Sequence, residues 1–173
     1  MLRLRSAPPV QPPPDDLGTG GRTGEKRPPS AEGLIGHWTF DEGDGPVAGD
    51  STGKGCDGVI TGGTWTRGRI GNALALNGKD GVVNIPPDPR FNLTGNITVA
   101  AWFRISSFTH QYEALVAKGD NSWRIQRNNR SDRVIFACSG LTNWKVMSTR
   151  DVNDGQWHHV AGVYDGGALS LSL

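Results

Sequence analysis

The sequence predicts an all-β fold, an antiparallel two-sheet sandwich or jelly roll. Short runs of alternating apolar residues recur along the chain, and glycine-rich turns separate them. Glycine supplies 25 of the 173 residues, which provides turn positions throughout. No stretch of useful length has helical periodicity. Many short strands between closely spaced turns are typical of β-sandwiches.

The predicted strand around which the chain is organised lies between the turns Asp154-Gly155 and Asp165-Gly166. Its residues alternate between two faces: Trp157, His159, Ala161 and Val163 on one, and His158, Val160 and Tyr164 on the other. Because both faces are apolar or amphipathic, we expect this strand to be buried on both sides.

The other predicted strands follow in chain order. They cover residues 33–40, 70–76, 81–85, 97–105, 113–118, 122–127, 132–138, 144–148 and 168–173. Residues 49–58 are rich in Gly and Asp and are predicted to form a loop. The strands at 70–76 and 81–85 are joined through Asn77–Gly81.

The two ends of the chain differ from the middle. Residues 1–33 hold seven of the 11 prolines and no Trp, Phe, Tyr or His, so we predict a disordered tail followed by a domain over residues 34–173. The chain stops inside the last predicted strand. We therefore expect the domain to be incomplete at its C-terminus.

Composition limits the function. A formal net charge of +1 argues against nucleic-acid binding. No apolar run reaches the ~18 residues that a transmembrane helix needs, and the N-terminus has no apolar core of a signal peptide. Cys56 and Cys138 either form a disulfide or are both free.

Several motifs resemble the LamG-like jelly-roll domains of the concanavalin A-like lectin/glucanase group. They lie at residues 34–43, 50–58, 71–76, 93–102, 116–120 and 154–161. The resemblance covers about residues 34–173 and implies a binding or adhesion module of a secreted or cell-surface protein. Some members recognise carbohydrate. The chain departs from the pattern because it lacks the closing strands and a secretion signal.

Catalysis is not expected. Successive strand residues point to opposite faces, so His158 and His159 cannot easily share a metal ion. A retaining glycosidase needs two carboxylates ~5 Å apart. The two long strands, at 97–105 and 156–164, contain no Asp or Glu, and Asp41, Glu42 and Asp44 lie in a glycine turn. These features argue against a glycoside hydrolase.

The loop at residues 50–58 has two interpretations. Asp50, Asp57 and backbone carbonyls are oxygen ligands that suit Ca²⁺, and the resemblance also implies a structural calcium in this loop. The alternative is an ordinary loop in which an Asp side chain caps the backbone.

Exposed aromatic faces beside polar groups are needed to bind carbohydrate. The candidate ligand-binding residues are Tyr112, Trp123, Arg124 and Trp144, and the alternative is that these tryptophans belong to the core. The leading hypothesis is a non-catalytic module that binds glycan or an extracellular protein. A glycoside hydrolase of the same architecture and a structural spacer in a surface protein are the other two.

Overall fold

The computed structural model describes residues 2–5 and 33–173. Strands dominate these residues, and the all-β prediction is confirmed. The strands are β1 (Leu2–Arg5), β2 (Leu34–Trp38), β3 (Val47–Ala48), β4 (Gly58–Thr61), β5 (Gly63–Arg67), β6 (Asn72–Leu76), β7 (Val82–Asn84), β8 (Ile97–Arg104), β9 (Ala114–Ala117), β10 (Trp123–Arg127), β11 (Val134–Cys138), β12 (Lys145–Met147), β13 (Trp157–Tyr164) and β14 (Leu169–Ser172). A short 3₁₀ helix spans Pro89–Phe91. No helix in the described ranges is long and apolar enough to cross a membrane.

Two antiparallel sheets form the sandwich. The five-stranded sheet has the order β14-β13-β8-β1-β2, and the four-stranded sheet has the order β12-β11-β10-β9. A three-stranded sheet, β3-β4-β7, and the hairpin β5-β6 complete the strands. The predicted strands at 70–76 and 81–85 are β6 and β7. These two strands are consecutive in the chain but do not pair with each other. Instead, β6 pairs with β5, and β7 pairs with β4.

The centre of the five-stranded sheet is the pair β8 and β13, which stay in register over eight residues from Trp157 opposite Arg104 to Tyr164 opposite Ile97. The face that carries His158 and Val160 is buried against the core. On the other face His159 is exposed and Trp157 is half-buried. The prediction that this strand is buried on both sides is therefore wrong, because its second face forms the outside of the sandwich.

The core lies between the two large sheets. Trp38, Val99, Ile125, Phe136 and Val160 are all fully buried there. The sheets approach closely where β13 crosses β11, since a Cβ at Gly162 would lie 2.4 Å from the Phe136 ring. Glycine is needed at this position because any side chain would push the two sheets apart.

The structure corrects the prediction of a disordered tail at one point. Leu2–Arg5 forms β1, which pairs antiparallel with β2 on one side and with β8 on the other. The local Leu-Arg-Leu-Arg alternation has the period of a strand, whereas the prediction followed the proline content of the whole segment. Met1 and residues 6–32 lie outside the described residues.

Candidate ligand-binding surfaces

The loop between β3 and β4 is organised around the buried carboxylate of Asp50. Its Oδ1 accepts hydrogen bonds from the backbone N–H groups of His37 (3.2 Å) and Thr52 (3.0 Å). The Thr52 hydroxyl lies 2.7 Å from Oδ1, and the Cys56 N–H donates to Oδ2 (3.4 Å). Asp57 accepts from the Asp50 N–H (2.8 Å). Burial alone would raise the pKa of Asp50, but these hydrogen bonds outweigh it and lower the pKa.

This arrangement fits a calcium ion poorly. Ca²⁺ takes about six to eight oxygen ligands, whereas both Asp50 oxygens already accept hydrogen bonds from the protein. Within residues 2–5 and 33–173 no three His, Cys, Asp or Glu side chains form a group that could hold a metal. Calcium binding by Asp50 and Asp57 stays a prediction, and an ion would have to displace the hydrogen-bond donors.

The two cysteines do not form a disulfide. Cys56 is buried just before β4, where its Sγ accepts a hydrogen bond from Arg90 Nη2 (2.8 Å), while Cys138 ends β11 opposite Trp123. Burial raises the pKa of both thiols, that of Cys138 to about 11. Both groups are therefore protonated near neutral pH and are poor nucleophiles.

Of the four predicted ligand-binding residues, Trp123 belongs to the core. Only 4% of the residue is exposed, and its indole N–H donates to the carbonyl of Phe91 (3.1 Å). The inward face of β10 holds Trp123 together with Ile125, which is fully buried. Trp123 therefore offers no face to a ligand, and the alternative interpretation as a core residue holds for it.

Arg124 and Trp144 do come together, and we call Arg124, Trp144 and Lys145 the Trp144 cluster. Arg124 and Lys145 flank the same residue of β11, Ala137. Arg124 Cζ lies 5.8 Å and Lys145 Nζ 4.8 Å from the centroid of the Trp144 ring. Trp144 is 40% exposed. The cluster thus combines an accessible indole with two cations on the outer side of the four-stranded sheet.

The guanidinium of Arg124 is held in place by the loops around it. Its Nη1 donates to the carbonyl of Asp120 (2.8 Å) and to the hydroxyl of Ser139 (3.3 Å). Ser139 itself donates to the same Asp120 carbonyl (2.7 Å). Two elements therefore fix the guanidinium beside the indole, which reduces the ordering cost of binding.

Tyr112 lies apart from the Trp144 cluster. It is 57% exposed and precedes β9, whose first residue, Ala114, pairs with Gln126. Trp144 instead precedes β12, which forms the opposite edge of the four-stranded sheet from β9. One ligand ring therefore cannot contact both Tyr112 and Trp144.

A second aromatic surface was not predicted. On the outer face of the five-stranded sheet Trp102 pairs with His159, and Arg104 pairs with Trp157 one row further along. The rings of Trp102 and His159 are 5.2 Å apart, and Arg104 Cζ lies 5.2 Å from the Trp157 ring. Arg69, in the β5–β6 turn, lies 5.9 Å from the Trp102 ring. We call these five residues the Trp102 surface.

The pattern that produces this surface was present in the sequence. Trp102 and Arg104 alternate along β8, as do Trp157 and His159 along β13. Alternation shows that each pair shares a face but not which face turns outward. The contribution of Arg69, which comes from a distant turn, has no local signal in the sequence.

Two further carboxylates, those of Asp154 and Asp88, support the structure. The buried ring of His158 lies 2.9 Å from Asp154 Oδ1 and stacks on Phe103 at 5.7 Å between centroids. The hydrogen bond with His158 is the largest cause of the lowered pKa of Asp154, and the hydrogen bond from the Gln156 N–H is the second. Asp88 binds Arg90 through two oxygens, with its Oδ1 2.8 Å from Nε. The Asp154–His158 pair therefore fixes the turn before β13, and Asp88 fixes the 3₁₀ helix.

These features define a concanavalin A-like sandwich with aromatic and cationic outer surfaces. The sequence profile of a laminin G-like family, described as the concanavalin A-like lectin/glucanases superfamily, matches residues 77–173. The chain belongs to this family. No curated protein sequence matches it.

A solved structure shares the fold. The binding domain of Paraclostridial Mosquitocidal Protein 1 aligns with a TM-score of 0.57 and 14% sequence identity. The alignment covers 74% of this chain and 36% of that chain. This chain thus spans little more than a third of the length of that protein chain. At this identity the likeness shows the fold alone.

Proposed function

We propose that the chain is a non-catalytic module that binds carbohydrate through the Trp144 cluster, and that it acts outside the cell or at its surface. The observation that carries this proposal is the exposed indole of Trp144 in contact with two cations. Membership of a lectin and glucanase superfamily is consistent with it. The structural relative is described as a binding domain, which also supports a binding role.

The chemistry of the cluster suits a sugar. The apolar face of a pyranose packs on an indole, while its hydroxyl groups need hydrogen-bond partners around the edge. Arg124 and Lys145 carry donors only, so they complement hydroxyl, carboxylate or sulfate oxygens. Because Arg124 is already fixed by Asp120 and Ser139, its fork is pre-organised for such an acceptor.

The proposal is tested by screening the full chain against an array of neutral and acidic glycans and measuring the best ligand by calorimetry. Trp144→Ala should weaken binding about thirtyfold, as expected for a tryptophan hot spot. Val82→Ala is the matched control, because Val82 is also an apolar residue that is 40% exposed but lies in β7, outside the four-stranded sheet. The control should bind within about twofold of the unmodified chain.

Three outcomes would contradict the proposal. A chain that binds no glycan would favour a spacer or a module for a protein ligand. Glycan binding unchanged by Trp144→Ala would move the site away from the cluster. Hydrolysis of a bound glycan that a single carboxylate substitution abolishes would show that the chain is a glycosidase.

A further inference from the structure

We infer that the Trp102 surface is the docking site of a segment of this same chain, Pro12-Pro13-Pro14-Asp15-Asp16, which we call the proline segment. The surface lies on the outer face of the five-stranded sheet. Arg124 and Lys145 of the Trp144 cluster belong to the four-stranded sheet, so the inference does not depend on the proposed glycan site.

The surface offers hydrogen-bond donors. Four of its five side chains, those of Trp102, Trp157, Arg69 and Arg104, carry donors and no acceptor. Within the described ranges neither indole N–H of this surface donates to an acceptor, unlike those of three other tryptophans. No carboxylate in the described part of the chain forms an ion pair with either guanidinium. The surface therefore suits a ligand that is rich in acceptors.

The proline segment has the complementary chemistry. Proline has a backbone carbonyl but no N–H, so a run of prolines offers acceptors without backbone donors. Proline rings also pack on aromatic faces, and their fixed φ reduces the freedom lost on binding. Asp15 and Asp16 follow directly and supply two carboxylates, with which guanidinium groups form strong hydrogen bonds. Aromatic and cationic groups on the surface thus match prolines and acids in the segment.

Charge distinguishes the proline segment from the other proline pairs near the N-terminus. Pro28-Pro29 directly follows Lys26-Arg27, two cations that Arg69 and Arg104 would repel. Pro8-Pro9 is followed by Val10-Gln11 and has no neighbouring acid. Only residues 12–16 combine prolines with adjacent carboxylates.

The proline segment is long enough away along the chain to reach the surface. Residues 6–32 connect Arg5 to β2, and Arg5 pairs with both Leu34 and Thr98. Trp102 lies four residues beyond Thr98 on β8, about 13 Å along the strand. Residues 6–11 can span up to about 20 Å, and residues 17–32 up to about 50 Å. Both lengths exceed the distance to be covered.

The test measures the indole N–H groups themselves. Nuclear magnetic resonance resolves a separate indole signal for each tryptophan, and Trp102→Phe and Trp157→Phe assign the two signals of the surface. The measured quantity is the rate at which each indole N–H exchanges with water, because an N–H that donates to a proline carbonyl exchanges more slowly. In the same spectra the Trp38 signal reports the fold and the Trp144 signal reports the proposed glycan site.

Two double variants of the full chain remove the prolines or the acids of the segment. Each has a control that makes the same type of change elsewhere between β1 and β2. The proline variant is Pro13→Ser with Pro14→Ser, and its control is Pro28→Ser with Pro29→Ser. The acid variant is Asp15→Asn with Asp16→Asn, and its control is Glu25→Gln with Glu32→Gln, which removes equal charge.

The proline variant should speed exchange of the Trp102 and Trp157 N–H groups about tenfold, as expected when a weak docking contact is lost. The acid variant should speed it about threefold, because exposed ion pairs contribute less. Each control should stay within about twofold of the unmodified chain. The Trp38 and Trp144 signals should be unchanged in all four variants.

The inference is overturned if the proline variant and its control have equal effects on exchange at Trp102 and Trp157. Exchange that slows as the protein concentration rises would also overturn it, because the segment of a second copy would then occupy the surface. An acid variant that behaves like its control would show that the two carboxylates do not select this segment.

Discussion

The environment of Trp38 and the Trp102 surface use the same residue type in opposite ways. Trp38 is fully buried, its indole N–H donates to the Cys56 carbonyl (2.9 Å), and it forms an isolated β-bridge with Asp50. On the Trp102 surface the indole rings instead contact guanidinium groups that form no ion pair in the described part of the chain. A polar group whose hydrogen-bond partner lies inside the protein, such as the Trp38 indole N–H, stabilises the fold. The guanidinium groups of the Trp102 surface still offer hydrogen-bond donors and are suited to a ligand.

The largest expected effect on stability comes from truncating the buried Trp38, and we compare it with truncation of Trp157 on the Trp102 surface. Trp38→Ala should cost about 3–5 kcal/mol of the free energy of unfolding, because it removes a large core side chain and leaves a cavity. Trp157→Ala should cost about 1 kcal/mol, since the ring is half-buried and mainly packs against Arg104. Urea denaturation measures both. Equal losses would show that the Trp102 surface is part of the core.

The Asp50 loop offers a second contrast, between a buried and an exposed carboxylate. Asp50→Ala should cost roughly 2–3 kcal/mol, because it strands the N–H groups of His37, Thr52 and Cys56. Asp57→Ala removes one acceptor from an exposed position and should cost about 1 kcal/mol. The free energy of unfolding of each variant is again the measurement. A larger loss of unfolding free energy in Asp57→Ala than in Asp50→Ala would contradict the central role of Asp50 in the loop.

Calcium distinguishes the two interpretations of the same loop. If the loop is a structural calcium site, adding Ca²⁺ should raise Tm and Asp50→Asn should abolish the rise. A loop stabilised by its own hydrogen bonds should show no rise, and the donor-saturated Asp50 favours this result. Thermal unfolding in EDTA and in millimolar Ca²⁺ measures the difference, with Mg²⁺ as the control ion.

The smallest expected effect concerns Asp154, an exposed acid that binds a buried histidine. Its lowered pKa means that the carboxylate stabilises the fold above its unfolded-state pKa of about 3.9. This contribution is lost as the pH falls from that value through the lower pKa of the folded state. Asp154→Asn should flatten this part of the stability profile. If the stability of Asp154→Asn falls at acidic pH as it does in the unmodified chain, the contact of Asp154 with His158 contributes nothing to the stability of the fold.

Much of the strand pattern could be predicted because alternation is a local property. Residues 97–105 and 122–127 were predicted as strands and lie at β8 and β10. The strand Leu2–Arg5 was missed because a composition argument averaged four alternating residues into a long proline-rich segment. Local periodicity carried more information there than overall composition.

The candidate sites depended on information that the sequence does not hold locally. Trp123 and Trp144 look alike in sequence, but Trp123 begins β10 and is buried in the core, whereas Trp144 immediately precedes β12 and is exposed. The contact of Trp102 with His159 joins residues far apart in the chain, and Arg69 reaches Trp102 from a separate hairpin. Such pairings are fixed by sheet order and register, which alternation alone does not give.

The position of β1 has a practical consequence for handling the protein. Because Leu2–Arg5 lies between β2 and β8, it is the only strand of the described structure that joins β2 to the rest of the five-stranded sheet. Loss of Leu2–Arg5 from the sheet would expose the facing edges of β2 and β8 at once. Such open edges recruit other chains.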